Sequence, residues 1–420
     1  MLTAEDNELL TRVGPGTPMG EVIRRFWMPA LLAEELPERD GKPVRVRLLG
    51  EDLVAFRDSE GRIGLLDEHC PHRRASLALG VNEQCGIRCL YHGWKFAVDG
   101  TCLDTPTEPP NSHLQSRVRA KAYPTREAGG VVWTYLGPPQ SCPAFPEFEW
   151  LSMPATHSMP FKFLEDCNYA QAVEGTIDSA HAGVLHRQVP WSQEGRFPHE
   201  KDLRPKLEVE PTPYGLRYGA VRQLGGEKAH VRITQVVLPF LTLIPPDGAG
   251  PRKDRRLSNI FVPRDDYSTW HVQWFFDPTQ PIDRAFRIEE GGHWVDESYR
   301  KLRNIDNWYL QDRAMMRTHN MSGIEGVVTQ DHAVSETQGR ILDRTKEHLG
   351  HSDAAVVAWR RQMLKLARAM AAGGESPSPL VAPVEWSRIK AATVAFPNSQ
   401  DWKDVVPLGA EEKFLPASAA

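Results

Sequence analysis

The sequence has little of several features that mark whole classes of protein. Its 420 residues include six cysteines, too few for a disulfide scaffold in a chain of this length. The longest apolar run, residues 236–244, is interrupted by Pro239 and is too short to cross a bilayer. A formal net charge of −5 provides no basic surface of the kind that nucleic-acid binders carry. We therefore expect neither a nucleic-acid nor a membrane partner.

Two further absences bear on location and redox partners. Residues 1–6 are acidic and contain no apolar core, so we expect no signal peptide and a cytoplasmic location. Gly14, Gly16 and Gly20 have the wrong spacing for a dinucleotide fingerprint, and no predicted strand precedes them. We therefore expect any oxidation of NAD(P)H to take place on another protein.

Two short segments each begin with a cysteine and end with a histidine. Cys70 and His72 belong to the first, Cys89 and His92 to the second, and sixteen residues separate the segments. A Cys2His2 zinc site and a Rieske [2Fe–2S] cluster both use these ligands. Zinc fingers place cysteine with cysteine and histidine with histidine, whereas each segment here carries one of each. The arrangement favours the cluster, with zinc as the alternative.

The flanks of these residues resemble a known family. The motifs Cys-Pro-His-Arg from residue 70 and Tyr-His-Gly-Trp from residue 91 are similar to those of the Rieske domain of bacterial ring-hydroxylating oxygenases. The resemblance implies one [2Fe–2S] cluster, in which the two cysteines bind one iron and the two histidines bind the other.

A second group of potential ligands lies further along the chain. On a helix, Glu174, Asp178 and His181 share one face, at positions i, i+4 and i+7. His186 lies about 140° further round an ideal helix, so both imidazoles reach one ion only if the helix ends or bulges between them. Gly183 is placed to permit this. Taken alone, the group is equally consistent with two histidines that bind no metal.

An electron-transfer cluster needs an acceptor, and two histidines with one carboxylate form the facial triad of non-haem Fe(II) oxygenases. The spacing Asp-x-x-His-x-x-x-x-His from residue 178 resembles the mononuclear-iron motif of Rieske oxygenase catalytic domains. The resemblance extends from about residue 5 to 370 and is greatest to the phthalate-dioxygenase branch. It implies one mononuclear Fe(II) bound by His181, His186 and a carboxylate from elsewhere.

The resemblance places that carboxylate after a glycine-containing loop, at the beginning of a helix. Asp331 follows Gly326 and Gln330 in this way, and we therefore predict it as the third ligand. The other downstream acids that we considered are Asp306, Asp312, Glu325 and Glu336.

Asp178 has a different predicted role in catalysis. A ligating imidazole usually donates its second N–H to a carboxylate, and Asp178 could accept this bond from His181. The resemblance implies that this aspartate also bonds the second Rieske histidine, His92, of a neighbouring subunit and completes the electron path. It therefore implies a homo-oligomer, either a homotrimer or a stacked hexamer. The alternative is an ordinary surface carboxylate.

The hydrophobic periodicity predicts an α+β protein whose first half is largely β. Residues 43–66 alternate as short antiparallel strands do, and a proline-rich linker marks a boundary near residue 145. We predict N-terminal helices over residues 1–35 that pack on the oxygenase, a Rieske domain over 36–145, and a catalytic domain over 146–420. For the last, the resemblance implies an antiparallel sheet flanked by helices, a helix-grip or START-like fold.

Three segments of the second half predict individual elements. Residues 163–185 have helical spacing. Residues 270–276 alternate between apolar and polar side chains, which predicts a strand buried on one face. An apolar stripe over residues 356–370 predicts a long helix that ends at Gly373 and Gly374.

The two predicted metal sites together imply a terminal oxygenase of aromatic catabolism. We expect an enzyme that uses O2, and electrons from a separate NAD(P)H-dependent flavin and iron–sulfur reductase, to hydroxylate an aromatic carboxylate. Phthalate-like or substituted benzoates are the expected substrates, and dioxygenation is the expected reaction. Monooxygenation, such as O-demethylation of a methoxylated or ether-linked acid, needs the same metals. The rival interpretations are a non-catalytic Rieske electron carrier and a structural zinc protein.

A substrate carboxylate beside iron needs a buried cation, preferably the planar fork of arginine. Arg217, Arg222 and Arg232 lie on predicted strands, and Lys206 lies just before one. We predict Lys206 and Arg232 as substrate-binding residues, with solvated charges on outward strand faces as the alternative. If the resembled branch uses two arginines here, Lys206 departs from it and leaves phthalate itself in doubt.

Overall fold

Residues 1–246, 256–374 and 384–414 are described by the structure, which is a computed structural model. The chain divides into two compact units: a small unit of residues 13–145, and a large unit of residues 1–12 and 146–420. Helix α1 (Ala4–Thr11) belongs to the large unit, whereas residues 13–35, predicted as one segment with it, belong to the small unit. The predicted end of the catalytic domain, residue 420, lies outside the described residues.

Residues 13–145, all of which the structure describes, form three small antiparallel sheets with the strand orders β1-β10-β9, β2-β3-β4 and β5-β6-β7-β8. Helix α2 precedes them and begins where the Thr17 side chain accepts a hydrogen bond from the N–H of Gly20. The elements are α2 (Pro18–Ile23), β1 (Met28–Leu32), β2 (Val44–Leu48), β3 (Glu51–Arg57), β4 (Ile63–Asp67), β5 (Val81–Glu83), β6 (Gly86–Arg88), β7 (Lys95–Phe96), β8 (Cys102–Asp104), α3 (Leu114–Arg117), β9 (Thr125–Ala128) and β10 (Val131–Thr134).

Alternation along these strands builds the core of the small unit. In β2 the side chains of Val46 and Leu48 are buried while Arg47 between them is partly exposed, as a strand covered on one face requires. The core that includes Phe56 and Phe96 also contains Cys70 and Cys89. The two predicted cluster loops are therefore anchored by their cysteines in a packed interior.

Among the described residues of the large unit, eight antiparallel strands form one sheet in the order β11-β17-β16-β15-β14-β13-β12, and β18 pairs with β14. Helix α4 packs on β15, β16 and β17, and α9 packs on β12 and β13. The elements are β11 (Ser158–Glu165), α4 (Tyr169–Ile177), α5 (Ala182–Leu185), α6 (Pro198–Lys201), β12 (Lys206–Thr212), β13 (Gly215–Gly225), β14 (Lys228–Val237), β15 (Leu241–Ile244), β16 (Arg256–Asp265), β17 (Ser268–Phe276), α7 (Arg284–Gly291), α8 (Val327–Glu336), α9 (Ala354–Ala371), β18 (Ala392–Pro397) and α10 (Trp402–Val405).

The predicted α+β class, with a β-rich first unit and a helix-flanked antiparallel sheet in the second, is confirmed. Helix α9 is also confirmed, because its stripe of Val356, Trp359 and Met363 is buried and Gly373 follows it with a φ of +74°. Among the helices that the structure describes, none is both long enough and apolar enough to span a bilayer.

One element prediction was wrong, and a second was right about the strand but wrong about its exposed face. The segment that begins at Phe163 is not one helix, because Phe161 and Phe163 alternate inward on β11 and α4 begins only after Asn168, whose side chain caps it. Strand β17 is buried on both faces, since His271 and Gln273 are 4% and 3% exposed. These polar side chains bond to Asn259 on β16, which permits burial of the face that the alternation predicts to be polar.

Candidate metal centres

Two tight turns carry the four predicted cluster ligands. In the first, the N–H of Cys70 donates to the carbonyl of Ala75 (2.8 Å). In the second, the N–H of Cys89 donates to the carbonyl of Trp94 (2.8 Å), and Gly93 has a φ of +74°. A Cβ atom on Gly93 would lie 2.7 Å from Cγ of Pro106, so this turn needs glycine for conformation and for space.

The turns place the cysteines inside the unit and the histidines toward its surface. Cys70 and Cys89 are 1% and 2% exposed, whereas His72 and His92 are partly exposed, with ring centroids 4.4 Å apart. The ring of His72 stacks on Trp94 at 4.4 Å. Burial, together with the neighbouring Cys89 sulfur, raises the pKa of Cys70 to about 11. Paired thiolates are therefore unfavourable here without a cation, and this donor set fits an iron–sulfur cluster.

The second candidate centre brings together His181, His186 and Asp331, as predicted. The two Nε2 atoms lie 3.2 Å apart, and Oδ1 of Asp331 lies 3.6 Å from Nε2 of His181 and 3.0 Å from that of His186. His181 immediately precedes helix α5 and His186 immediately follows it, while Asp331 lies in the first half of α8. Gly326, with a φ of +83°, immediately precedes α8, in agreement with the predicted glycine-containing loop.

The route by which the chain reaches this geometry differs from the predicted one. Helix α4 ends at Ile177 and Asp178 is extended, so Glu174 and His181 do not share a helix face. Glu174 is instead buried against the guanidinium groups of Arg344 and Arg360. Gly183 serves close packing rather than a helix bulge, because a Cβ atom there would lie 2.1 Å from the carbonyl oxygen of His199.

Hydrogen bonds determine which nitrogen of His186 carries its proton. The amide nitrogen of Gln330 donates to the carbonyl of Ile324 (2.8 Å), which leaves Oε1 of Gln330 facing Nδ1 of His186 at 2.7 Å. Because an amide oxygen can only accept, the neutral imidazole carries its proton on Nδ1. Its Nε2 atom is therefore a bare lone pair that points at Asp331.

Asp178 has the corresponding position beside His181. Its Oδ2 lies 3.7 Å from Nδ1 of His181, an ion-pair contact, and its Oδ1 accepts the N–H of Ala180 at 2.7 Å. Burial acts to raise the pKa of Asp178, but the His181 ring and the backbone N–H groups of Ala180 and His181 together outweigh it, and the pKa lies below its ordinary value. A carboxylate beside Nδ1 favours the proton on that atom and leaves Nε2 bare.

Three acceptors thus converge with no proton between them when both imidazoles are neutral. Two Nε2 lone pairs and one carboxylate oxygen at 3.0–3.6 Å repel one another unless a cation lies among them. Two histidines and one carboxylate are the ligands of mononuclear non-haem iron. The donor set therefore fits that metal.

In a second cluster of ligand-type side chains, hydrogen bonds pair donors with acceptors around one histidine. Glu165, His271 and His332 are buried with ligand atoms within 4.8 Å of one another. Gln273 donates to Oδ1 of Asn259 (2.8 Å), and this oxygen also accepts Nε2–H of His271 (3.0 Å). Nδ1 of His271 then accepts Nε2–H of His332 (3.2 Å). Each of these three contacts pairs a donor with an acceptor, so both ring nitrogens of His271 are hydrogen-bonded, whereas Oε2 of Glu165 and Nδ1 of His332 have no hydrogen-bond partner among the residues that the structure describes.

The two predicted substrate cations differ in environment. Lys206, at the beginning of β12, has a side chain that is 77% exposed and bonds to Glu208 at 2.5 Å. Arg232 on β14 is partly buried and donates to the carbonyl of Pro245 (3.2 Å). It lies on the same sheet face as Arg222, whose pKa is lowered to about 10 by burial and by Arg232. The structure therefore gives Lys206 an acidic partner and a solvated position, unlike a buried substrate cation.

Two contributions were missed from the sequence. The sequence identifies Gln330 only as the neighbour of Asp331, and Trp94 only as part of a flanking motif, although they contact His186 and His72. The sequence signal for either role was proximity alone, since Gln330 immediately precedes Asp331 and Trp94 lies two residues after His92. Whether each side chain contacts its histidine depends on the backbone path of another segment.

Comparisons with known proteins cover nearly the whole chain. A family model described as Rieske [2Fe-2S] domain matches residues 26–124, and one described as LigXa C-terminal domain like matches residues 134–414. The phthalate 4,5-dioxygenase oxygenase subunit of Pseudomonas putida is 42% identical, over 96% of this chain and 94% of that protein.

A further relative and a solved structure widen the comparison. The 5,5'-dehydrodivanillate O-demethylase oxygenase subunit of a Sphingobium species is 32% identical, over 100% of this chain and 92% of that protein. A structure of NdmA from Pseudomonas putida CBB5 with caffeine superposes with a TM-score of 0.65 at 18% identity, covering 87% of this chain and 98% of that one. At that identity the superposition bears on the fold alone.

Proposed function

The chain belongs to the Rieske oxygenases, oxidoreductases that act with molecular oxygen, and we propose that it is a terminal oxygenase that hydroxylates an aromatic carboxylate. The observation that carries the proposal is the convergence of His181, His186 and Asp331, whose ligand atoms lie 3.0–3.6 Å apart and are all acceptors when the imidazoles are neutral. A non-catalytic electron carrier has no use for such a site. A structural zinc protein does not account for the relationship to oxygenases over both units.

We assign the ligands as follows. Cys70 and Cys89 hold one iron of the [2Fe–2S] cluster and His72 and His92 hold the other. His181, His186 and Asp331 hold one mononuclear iron. When bound, the cluster supplies one-electron transfer and the mononuclear iron supplies O2 chemistry. We also keep residues 36–145 and 146–420 as the proposed domains.

The residues around these ligands have their own proposed roles. Trp94 fixes the ring of His72 by stacking, and the exposed edges of both cluster histidines are where electrons enter or leave. Asp178 holds His181 with its Nδ1–H turned away from the ligand side. Its side chain is 28% exposed, which leaves it open to a second partner such as His92 of a neighbouring subunit. This contact would make the active oxygenase a homotrimer or stacked hexamer, to be tested by mass photometry.

For the substrate carboxylate we propose Arg232 rather than Lys206, because its guanidinium is partly buried and lies beside a second cation, Arg222. A guanidinium can bind both oxygens of a carboxylate. Replacing Arg232 with Gln is expected to raise KM about tenfold or more, since a charge-assisted bond is lost. The Arg361→Gln variant, at an exposed position of α9, is the matched control and should leave KM unchanged. An unchanged KM in Arg232→Gln excludes this assignment.

The test of the main proposal is O2 uptake with a reductase and a panel of aromatic acids. Relatives named as oxygenase subunits imply a separate reductase, which we propose to be an NAD(P)H-dependent flavin and iron–sulfur protein. We expect uptake coupled to product with a phthalate-like or substituted benzoate. A preparation with its full iron complement that consumes no O2 with any acid in the panel would contradict the proposal.

O-demethylation is the second candidate reaction, because one relative over the whole chain is named as an O-demethylase. Labelled O2 separates the two. A cis-diol that carries two labels establishes dioxygenation, whereas a phenol released with formaldehyde establishes monooxygenation. Cytoplasmic location stays a prediction from the sequence.

A further inference from the structure

The two histidines of the proposed iron site have different outer partners. His181 faces the carboxylate of Asp178, whereas His186 faces the neutral side-chain amide of Gln330. The second contact is the shorter, at 2.7 Å compared with 3.7 Å. We propose that Gln330 is a positioning residue that determines the tautomer and ring orientation of His186 and so prepares Nε2 for the metal.

The orientation of the Gln330 amide is itself determined by the backbone. Its nitrogen donates to the carbonyl of Ile324, and a carbonyl oxygen can only accept. Reversing the amide would place its oxygen against that carbonyl and its nitrogen against a protonated Nδ1. Hydrogen-bond donation therefore runs in one direction, from His186 through Gln330 to the carbonyl of Ile324.

The loop that supplies this carbonyl is held by contacts that do not involve the histidines. Gln311 donates through its amide nitrogen to the carbonyl of Ser322 (2.8 Å), and Asn320 accepts the N–H of Gly323 (2.7 Å). Gly323 has a φ of +67°. The carbonyl of Ile324 is thus presented by an independently anchored turn. Loss of the Gln330 amide should therefore remove the bond to His186 without releasing this turn.

Burial makes the hydrogen bond between Gln330 and His186 important for the tautomer of the imidazole. Gln330 is 5% exposed and the side chain of His186 is 15% exposed, so water cannot readily replace a lost partner on Nδ1. Without an acceptor at Nδ1, a neutral imidazole gains by placing its proton on Nε2 and donating to Asp331, which removes the lone pair that a metal needs. Outer partners of this kind typically change metal affinity by about 10–100-fold.

The uncharged side chain of Gln330 limits the negative charge at the site. Asp178 and Asp331 already place two carboxylates at the site, and an amide at residue 330 orients His186 without adding a third. Glutamate is nearly the same shape as glutamine and can accept the same N–H bond, but it cannot donate to the carbonyl of Ile324. Methionine has a similar length but accepts such a bond only weakly.

This inference rests on the proposed metal site, and its test measures binding rather than turnover. Protein with an intact Rieske cluster is depleted of mononuclear iron by mild chelation and equilibrated by dialysis against buffered Fe(II) or Co(II). Bound metal is measured by elemental analysis. Visible absorption of the cluster reports that the protein remains folded.

We expect the Gln330→Met variant to bind Fe(II) and Co(II) about 10–100-fold more weakly than wild type. We expect Gln330→Glu to bind the metals more tightly than Gln330→Met, because it keeps the acceptor for Nδ1–H, although it loses the bond to the carbonyl of Ile324. The Gln311→Met variant is the matched control: it removes a glutamine that anchors the same loop but touches neither histidine, and its affinity should be unchanged.

Three outcomes would overturn the inference: wild-type affinity in Gln330→Met, an equal loss in Gln311→Met, or a loss in Gln330→Glu as large as in Gln330→Met. A wild-type protein that binds no mononuclear metal would overturn both this inference and the metal site. Failure to find an aromatic acid substrate contradicts only the proposed substrate class, since affinity is measured without substrate.

Discussion

The two candidate metal centres are assembled over very different lengths of chain. All four ligand candidates of the small unit lie within residues 70–92, on two turns that are closed by their own backbone hydrogen bonds. In the large unit His181 and His186 flank one short helix, but the carboxylate lies on α8, 145 residues beyond His186. The first centre is thus a local structure on a packed core, while the second depends on how distant elements meet.

This difference implies that the two centres can be lost independently. Damage to α8 should empty the mononuclear site without disturbing the turns of the small unit. Damage to one of those turns should remove the cluster without affecting the three acceptors of the large unit.

The largest expected effect comes from replacing Asp331 with alanine. Because this removes the anionic ligand, we expect turnover to be abolished and iron to fall from about three to about two per chain, with two sulfides retained. Iron and sulfide assays and the visible spectrum of the cluster measure the outcome. Loss of the cluster together with the third iron would contradict the independence of the two centres.

The second prediction concerns the turn at Gly93. The Gly93→Ala variant combines a φ of +74° with a Cβ atom 2.7 Å from Pro106, so we expect destabilisation of about 1–3 kcal/mol and a lower cluster content. Gly16→Ala is the matched control, because Gly16 has a φ of +80° with no heavy atom within 4 Å of the added Cβ. Equal cluster content in the two variants would show that contact with Pro106 has no effect.

The third prediction concerns the pH dependence of stability that arises from Glu165, which is buried beside His271 and His332. Burial, with a smaller contribution from Glu336, raises the pKa of Glu165 from 4.5 to about 8. The folded protein keeps this proton between those values while the unfolded chain releases it, so stability declines as pH rises from about 4.5 to 8.

Glu165→Gln removes this titration. We expect the free energy of unfolding of the variant to exceed that of wild type by about 1–4 kcal/mol above pH 8, with little difference near pH 4.5. Denaturant unfolding across this pH range is the measurement. Parallel curves for the two proteins would show that Glu165 has no raised pKa in the fold.

The smallest expected effect is that of Lys206→Ala. Its side chain is 77% exposed and its ammonium bonds to Glu208, and exposed ion pairs contribute about 0–1 kcal/mol. We expect unfolding and KM for the aromatic acid to stay near wild type. A large rise in KM would restore Lys206 as a substrate residue and weaken the case for Arg232.

The sequence predicted local structure better than contacts between distant elements, as the comparison of the two centres also shows. The turns of the small unit were recognisable because ligand type and spacing lie within one short stretch, as does the apolar stripe of α9. Helical spacing from Phe163 was misleading, because a strand with alternating phenylalanines and a capped helix follow each other there. Alternation in β17 likewise predicted an exposed face that is buried.

What the sequence by itself determined is therefore local: the α+β class, the two Cys and His turns, the Asp178–His181–His186 spacing, and the apolar stripe and C-terminal end of α9. Residue type and spacing suffice there, because the relevant contacts lie within a few residues along the chain. Only the tertiary structure brought Asp331 to two imidazoles, turned Gln330 toward His186 and left Lys206 in solvent. These outcomes depend on the packing of distant elements, which no local pattern specifies.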